Sequence, residues 1–325
     1  MRPSIWLTAL LLCTGACSAA DGNTAEADDG NDDTFVQPGL DDPSARMWEK
    51  AGGWYPEDRN ELDAEIEALI AAVDDPGEPR RAAAVIPPHA SLKFSGPTVA
   101  ELFARLEIPE TVLILAPDHW GDDTPQSIWT EGPWLVPGHA IEIDYDLMGT
   151  VSEALPELES SRIAFAQHES EMMLPWLQYA RPDVKIVVVA IFDNSKNDFK
   201  DFPVEKIEEY GAAVAEIVMA EEAAGREVLI MATTDLVHHE TKEDSEVQDA
   251  QLMEHITALD LQGLYDYVTG ESITICGEIV TGIAMSAVTQ LGYDSMDLVS
   301  LGNSLHANDD ETDVIGYPAA AAWKD

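Results

Sequence analysis

Apolar and polar positions in this chain alternate between two periods. Six runs of strand length, Ala82 to Pro87, Thr111 to Ala116, Lys185 to Phe192, Val228 to Thr233, Met296 to Leu301 and Val314 to Ala319, are rich in valine, isoleucine, leucine and alanine without strict alternation. Such runs are buried on both faces of a sheet. Between them the helical period predicts helices over Leu62 to Val73, Thr98 to Leu106, Asp146 to Leu155, Glu169 to Ala180, Val204 to Ala224, Val247 to Val268 and Ile279 to Leu291. Strands that alternate with helices give the α/β class, with a central sheet covered by helices on both faces. No internal repeat or second linker interrupts residues 46–325, so one domain is expected there.

The first 45 residues follow neither period. Arg2, the apolar run Ile5 to Leu12 and the small residues Thr14-Gly15-Ala16 have the three regions of a secretory signal, and the run is too short for a stable membrane span. Thr14-Gly15-Ala16-Cys17 resembles a lipoprotein box, which makes Cys17 the candidate for lipidation. Residues 18–45 hold eight acids and no base, the composition of a flexible acidic tether. The expected division is a signal over residues 1–17, a tether over 18–45 and a folded domain over 46–325. The expected location is the cell envelope through a lipid anchor, otherwise the periplasm or the medium.

Charge narrows the partners. The chain has 62 acidic and 17 basic side chains, a formal net charge of −45, so a nucleic-acid backbone would be repelled. Cys13 and Cys17 lie in the leader, which leaves Cys276 as the sole cysteine of the domain and excludes a disulfide within it. No Gly-x-Ser-x-Gly elbow, phosphate-binding Gly-rich loop ending in lysine or Cys-x-x-Cys pair is present, which disfavours a serine hydrolase, a P-loop ATPase and a zinc ribbon.

The chemistry gathers where strands end. The first run leads into His89, the second into Asp118-His119, and the fourth into Asp235 with His238 and His239 beyond it. If these strands are parallel neighbours, their carboxyl ends open on one crevice, the usual ligand site of an open α/β sheet. Two imidazoles with one thiolate or one carboxylate could hold iron, zinc or copper. Cys276 supplies the thiolate candidate, just ahead of a helix amino end that favours the anion. His168 and Glu171, three residues apart, would share one face of a helix start, either as acid/base groups or as supports of the ligands. His139, His255 and His306 read as surface or structural residues.

These segments together resemble the Memo family, known in bacteria as AmmeMemoRadiSam system protein B. The likeness rests on Ala51-Gly52-Gly53-Trp54-Tyr55-Pro56, Pro88-His89-Ala90, Ala116-Pro117-Asp118-His119, His168-x-x-Glu171 with Leu174-Pro175-Trp176-Leu177, Thr234-Asp235-Leu236-x-His238, Ile275-Cys276-Gly277 and Val314-Ile315-Gly316-Tyr317. The resemblance implies a fold similar to class III extradiol dioxygenases. It also implies a metal pocket of His89, His119 and Cys276, with Asp235, His238 and His168 as further pocket residues. Iron or copper is the implied metal, with zinc as an alternative. The implied activity is that of a dioxygenase-like oxidoreductase of unknown substrate, and the alternative is a non-catalytic protein that holds a metal, a small molecule or a peptide at the envelope. Two departures stand out. Leu92 and Phe94 occupy positions where the family commonly carries tyrosines, and Glu169-Ser170 replaces the usual middle of the His168 to Glu171 segment. Export would also separate the chain from the cytoplasmic radical-SAM partners of bacterial members.

Overall fold

Each of the six apolar runs contributes to a strand, and five of those strands supply side chains to two cores at once. The run Met296 to Leu301 instead forms an edge strand on which Leu298 and Leu301 are exposed, so it is not buried on both faces. The computed structural model describes residues 42–119, 124–162, 165, 169–192, 202–271 and 273–324. The leader, Cys17 and most of the expected tether lie outside the described residues, as does His168. No helix among the described residues is long and apolar enough to cross a membrane.

In chain order the strands are β1 (Ala82–Ile86), β2 (Thr111–Asp118), β3 (Gln126–Ile128), β4 (Trp134–Val136), β5 (His139–Ile143), β6 (Glu159–Ser160), β7 (Lys185–Phe192), β8 (Val228–Ala232), β9 (His238–Glu240), β10 (Asp297–Asn303) and β11 (Val314–Trp323). The helices are α1 (Arg59–Ala71), α2 (Leu92–Phe103), α3 (Tyr145–Ala154), α4 (Leu174–Ala180), α5 (Val204–Ala223), α6 (Lys242–Thr257), α7 (Leu261–Glu271) and α8 (Glu278–Gln290). The main sheet runs β10-β11-β1-β8-β2-β7-β3-β6. At its centre β1, β8, β2 and β7 are parallel, whereas β11 runs antiparallel to β1.

Successive residues of the central strands point to opposite faces. Ile86, Leu113, Leu115, Val187 and Ile230 join a core with α3, α5, α6, α7 and α8. Val85, Val112, Ile114, Val188 and Met231 join a second core with α1, α2 and α4. Burial of each such side chain contributes about 1.5–3 kcal/mol, so the two-faced strands carry much of the driving force for folding.

Three helices depart from their expected bounds for identifiable reasons. The segment from Glu169 is a turn followed by a short 3-10 stretch, Glu171–Met173, and α4 begins only at Leu174. Pro175 lacks an N–H and its ring crowds the Glu171 carbonyl, which disfavours an α-turn there. The stretch Val247 to Val268 divides in two: Leu259 adopts φ 55°, and Asp260 accepts the Gly263 N–H at 3.0 Å to start α7. The apolar period continues across the break because both helices face the same core. Helix α2 begins ahead of Pro97 instead of after it. The Lys93 carbonyl, which proline leaves without its helical donor, faces His306 Nε2 at 3.0 Å. His306 is thus structural, as its sequence context suggests.

The chain packs already at Ala45, which is buried, and Arg46 anchors the segment after it. Its guanidinium lies 4.3 Å from the Trp134 ring centroid, donates through Nε to Phe165 O at 2.6 Å and reaches Glu171 Oε2 at 2.5 Å. Glu171 is fully buried and also accepts from Glu49 N at 3.0 Å, Lys50 N at 2.8 Å and Tyr55 Oη at 2.7 Å. This carboxylate ties residues 46–55 to the amino end of α4. Removal of one partner of a buried, multiply bonded ion pair costs about 3–5 kcal/mol. Glu171→Ala is therefore expected to lower the unfolding free energy by about that amount in chemical denaturation, and a loss under about 1 kcal/mol would contradict the assignment.

Candidate functional site

The parallel neighbours β1, β8 and β2 all end on one side, and their carboxyl ends deliver three groups. Past β1, Pro87-Pro88 leads to His89; β2 ends at Asp118 with His119 next; β8 leads through Thr233-Thr234 to Asp235. The condition set by the sequence is thus met. Cys276 arrives from elsewhere in the chain. An isolated antiparallel bridge joins Asp235 to Cys276, and Thr234 Oγ1 donates to the Cys276 carbonyl at 2.5 Å. Gly277 then turns the chain into α8 at φ 105°, where a Cβ would lie 2.7 Å from Thr233 O. Only glycine fits that combination of backbone angle and close approach.

His89, His119 and Cys276 come together, each with a ligand atom within 4.8 Å of the others. Asp235, His238 and Cys276 form a second such group, which shares the thiol. His89 Nε2 lies 3.2 Å from Cys276 Sγ, and His238 Nε2 lies 3.7 Å from it on another side. The His89 and Cys276 side chains are almost wholly buried.

The hydrogen bonds around His89 favour one tautomer of its ring. Thr233 Oγ1 donates to the Glu169 carbonyl at 3.3 Å, which uses its one proton. Its oxygen therefore accepts from His89 Nδ1–H at 3.0 Å and leaves the Nε2 lone pair toward the thiol. A ligand histidine commonly needs just such a partner to fix its ring and tautomer. The His89 backbone N–H donates to Asp235 Oδ1 at 2.9 Å, which ties two strand ends together.

Electrostatics separate the titrating groups. Burial pushes the Asp235 carboxyl up to about 7, partly opposed by the backbone N–H groups of His89 and Ala90. Burial lowers His238 to about 4 and so keeps its imidazole neutral at pH 7. His238 Nδ1 is buried with no hydrogen-bond partner among the described residues. Burial also raises Glu169 to about 7 against the pull of His119, whose Nε2 lies 3.4 Å from Glu169 Oε1.

Two residues here were not singled out in the sequence. Glu169, beside His119, occupies the role expected of Glu171, which is spent instead on Arg46 and residues 49–55. Residues 169 and 170 form a turn and Glu171 opens a 3-10 stretch, and His168, the other half of the expected pair, lies outside the described residues. Tyr317, buried on β11, couples electrostatically to Asp235 and Cys276, and burial raises its phenol well above the usual range. The family segment Ile315-Gly316-Tyr317 was the available signal. Of the two departures near His89, Leu92 is a core residue and Phe94 lines a cavity of about 480 Å³ with Trp54, Asp235, His238 and Tyr317.

The Memo-like protein family profile matches residues 46–321. The chain belongs to the Memo-like family. It is similar to a MEMO1 family protein of Aquifex aeolicus, 28% identical over 82% of this chain and 95% of the other. A MEMO1 family protein of Methanopyrus kandleri is 29% identical over 83% of this chain and 95% of the other. A solved but uncharacterized protein of Escherichia coli K12 superposes with a TM-score of 0.42 at 15% identity, covering 73% of this chain and 99% of that one, a likeness too slight to argue from. The Memo-like match begins at Arg46, where the described packing anchors the chain.

Within this Memo-like site, Asp249 supports the loop that carries His238. Its carboxylate accepts from Val237 N and Ser245 Oγ, both at 3.0 Å, and a side chain at Gly316 would collide with it. Burial pushes Asp249 up from 3.8 to about 6. The folded state therefore holds this proton more tightly than the unfolded chain, and the associated stability is full below about pH 4 and fades as pH rises through about 6. Asp249→Asn, which keeps the acceptor, is expected to be more stable than wild type above pH 6 by up to about 3 kcal/mol and to lose that advantage below pH 4. Equal denaturation profiles across this range would contradict it. Thr233→Val keeps the shape but frees His89 to rotate and change tautomer, so metal affinity in a chelator competition is expected to fall about 10–100-fold, with Thr233→Ser close to wild type. Unchanged affinity in Thr233→Val would show that His89 is oriented by something else.

Proposed function

We propose that the protein is a metal-dependent oxidoreductase in which His89, His119 and Cys276 hold iron or copper beside a small-molecule cavity. The supporting observation is the convergence of two imidazoles and a thiol within 4.8 Å, with one His89 tautomer favoured by Thr233 and Glu169. This mixed nitrogen and sulfur set suits iron, copper or zinc better than magnesium or calcium. The metal would supply Lewis-acid polarisation and, for iron or copper, one-electron chemistry.

The protein groups divide the remaining work. His238, which lines the cavity and whose imidazole burial keeps neutral at pH 7, would accept a proton from a ligand hydroxyl. Tyr317 keeps its proton and can donate a hydrogen bond, which compensates for the phenols absent at positions 92 and 94. Trp54 and Phe94 give the cavity aromatic walls that favour a flat, partly apolar molecule and limit water. Glu169 holds His119 in place. The leader and Cys17 extend the proposal to an envelope location, where the chain would work apart from cytoplasmic partners.

The test is metal content by mass spectrometry on anaerobically purified protein beside a His89→Ala/Cys276→Ala double variant, followed by dioxygen uptake with a panel of catechols. About one iron or copper per chain, lost in the variant, with uptake in wild type alone, is the expected result. Bound metal without uptake would assign a metal-holding role instead. No metal in either protein after reconstitution would sink both readings.

A further inference from the structure

Lysine is scarce in this acidic chain, and where it is left without a carboxylate is informative. Six lysines fall among the described residues. Lys185, Lys206, Lys242 and Lys324 each form an ion pair with a glutamate. Lys50 and Lys93 form none among the described residues, in a protein with 62 acidic side chains.

Each of these lysines lies against an aromatic side chain that walls the cavity, without lining the cavity itself. Lys50 Nζ lies 5.7 Å from the centroid of Trp54, and Lys93 Nζ lies 5.2 Å from that of Phe94; the two rings are walls of the cavity that holds Asp235, His238 and Tyr317. Lys93 also lines an adjoining depression of about 250 Å³, which shares Gly53 and Trp54 with the cavity. The charge of Lys50 reaches the buried Glu169 beside His119. Its backbone N–H donates to Glu171, so the fold fixes where this lysine leaves the chain, and the ammonium moves on its own stem.

Both acids that line the cavity are already engaged. Asp235 accepts the His89 N–H, and Asp313 pairs with His239 at 2.7 Å. Glu65 lines the depression but is exposed and forms no ion pair with Lys93. A ligand in the cavity therefore meets two aromatic walls, each with an ammonium beside its ring that pairs with no carboxylate among the described residues. The volume is within the range of about 300–1,000 Å³ usual for small-molecule pockets.

We infer that the cavity takes a small aromatic anion, its ring between Trp54 and Phe94 and its carboxylate or phosphate toward Lys50 and Lys93. The inference rests on the cavity as the working site proposed above, and it names the class of molecule that site takes. Two cations on flexible stems select negative charge without fixing its geometry, so carboxylate and phosphate are both admitted. The strongly negative surface repels anions at long range, which makes local cations necessary for any anionic ligand to enter.

The experiment is a ligand-observed NMR titration of the full chain at physiological ionic strength with benzoate, phenyl phosphate and the neutral benzamide. It is run on the metal-loaded and the chelator-stripped protein. Wild type is expected to bind at least one of the two anions about tenfold more tightly than benzamide, with or without metal. Lys50→Gln/Lys93→Gln is expected to abolish that preference while metal content stays unchanged, and Lys50→Arg/Lys93→Arg to retain it. Benzamide binding as tightly as both anions, a preference that survives the double glutamine variant or is confined to metal-loaded protein, or no binding of any probe at millimolar concentration would each overturn the proposal. A wild-type protein that takes up no metal yet shows the lysine-dependent preference would refute the oxidoreductase reading and leave the anion site standing.

Discussion

The parallel register of β1, β8 and β2 is the constraint on which the rest of the site depends. Because these strands run the same way side by side, the residues just past their carboxyl ends are all delivered to one crevice. His89, His119 and Asp235 need no long-range search to meet; strand pairing brings them there. Cys276 is added through its own backbone, by its bridge to Asp235 and the Thr234 hydroxyl on its carbonyl. The thiol is therefore placed by the same strand end that places the carboxylate.

A second layer of buried polar bonds fixes the groups that the sheet positions. The Glu169 carbonyl, Thr233 and His89 form a chain in which each proton has one destination, and its far end is a lone pair facing the thiol. Glu171, two residues from Glu169, turns away from the cluster to the buried Arg46 and the amide groups of residues 49 and 50. One short turn ahead of α4 thus serves both the cluster and the strap that presents Trp54, with Lys50 beside its ring, to the cavity. Buried polar groups of this kind are costly when unpaired, which ties the order of the strap to the order of the site.

Much of this was legible in the sequence, and the parts that were not share a physical reason. Val85-Ile86 before His89 and Leu113 to Ala116 before Asp118-His119 are runs that burial on two faces enforces, so the strands and the residues at their ends could be read directly. The three-residue strands at Gln126, Trp134 and His238 have too few positions for a period to show. The break at Leu259 hides because α6 and α7 bury the same apolar face on either side of it. Glu171 reads as a site residue because its partner, Arg46, lies 125 residues away and no local pattern announces a buried ion pair. Glu169 escapes notice for the same reason in reverse, since only the fold places it against His119. Tyr317 sits in a run of small residues on β11 that reads as plain core, and its role at the cavity emerges only once β11 is seen beside β1.

The central claim is that one thiol and two imidazoles, brought together by three strand ends and one helix start, form a metal centre. X-ray absorption at the metal edge of the iron- or copper-loaded protein tests it most directly. The account predicts one sulfur scatterer from Cys276, with the imidazole scattering of His89 and His119, and loss of the sulfur component in Cys276→Ser. A loaded protein whose metal shell contains no sulfur, or whose shell is the same in that variant, would contradict it.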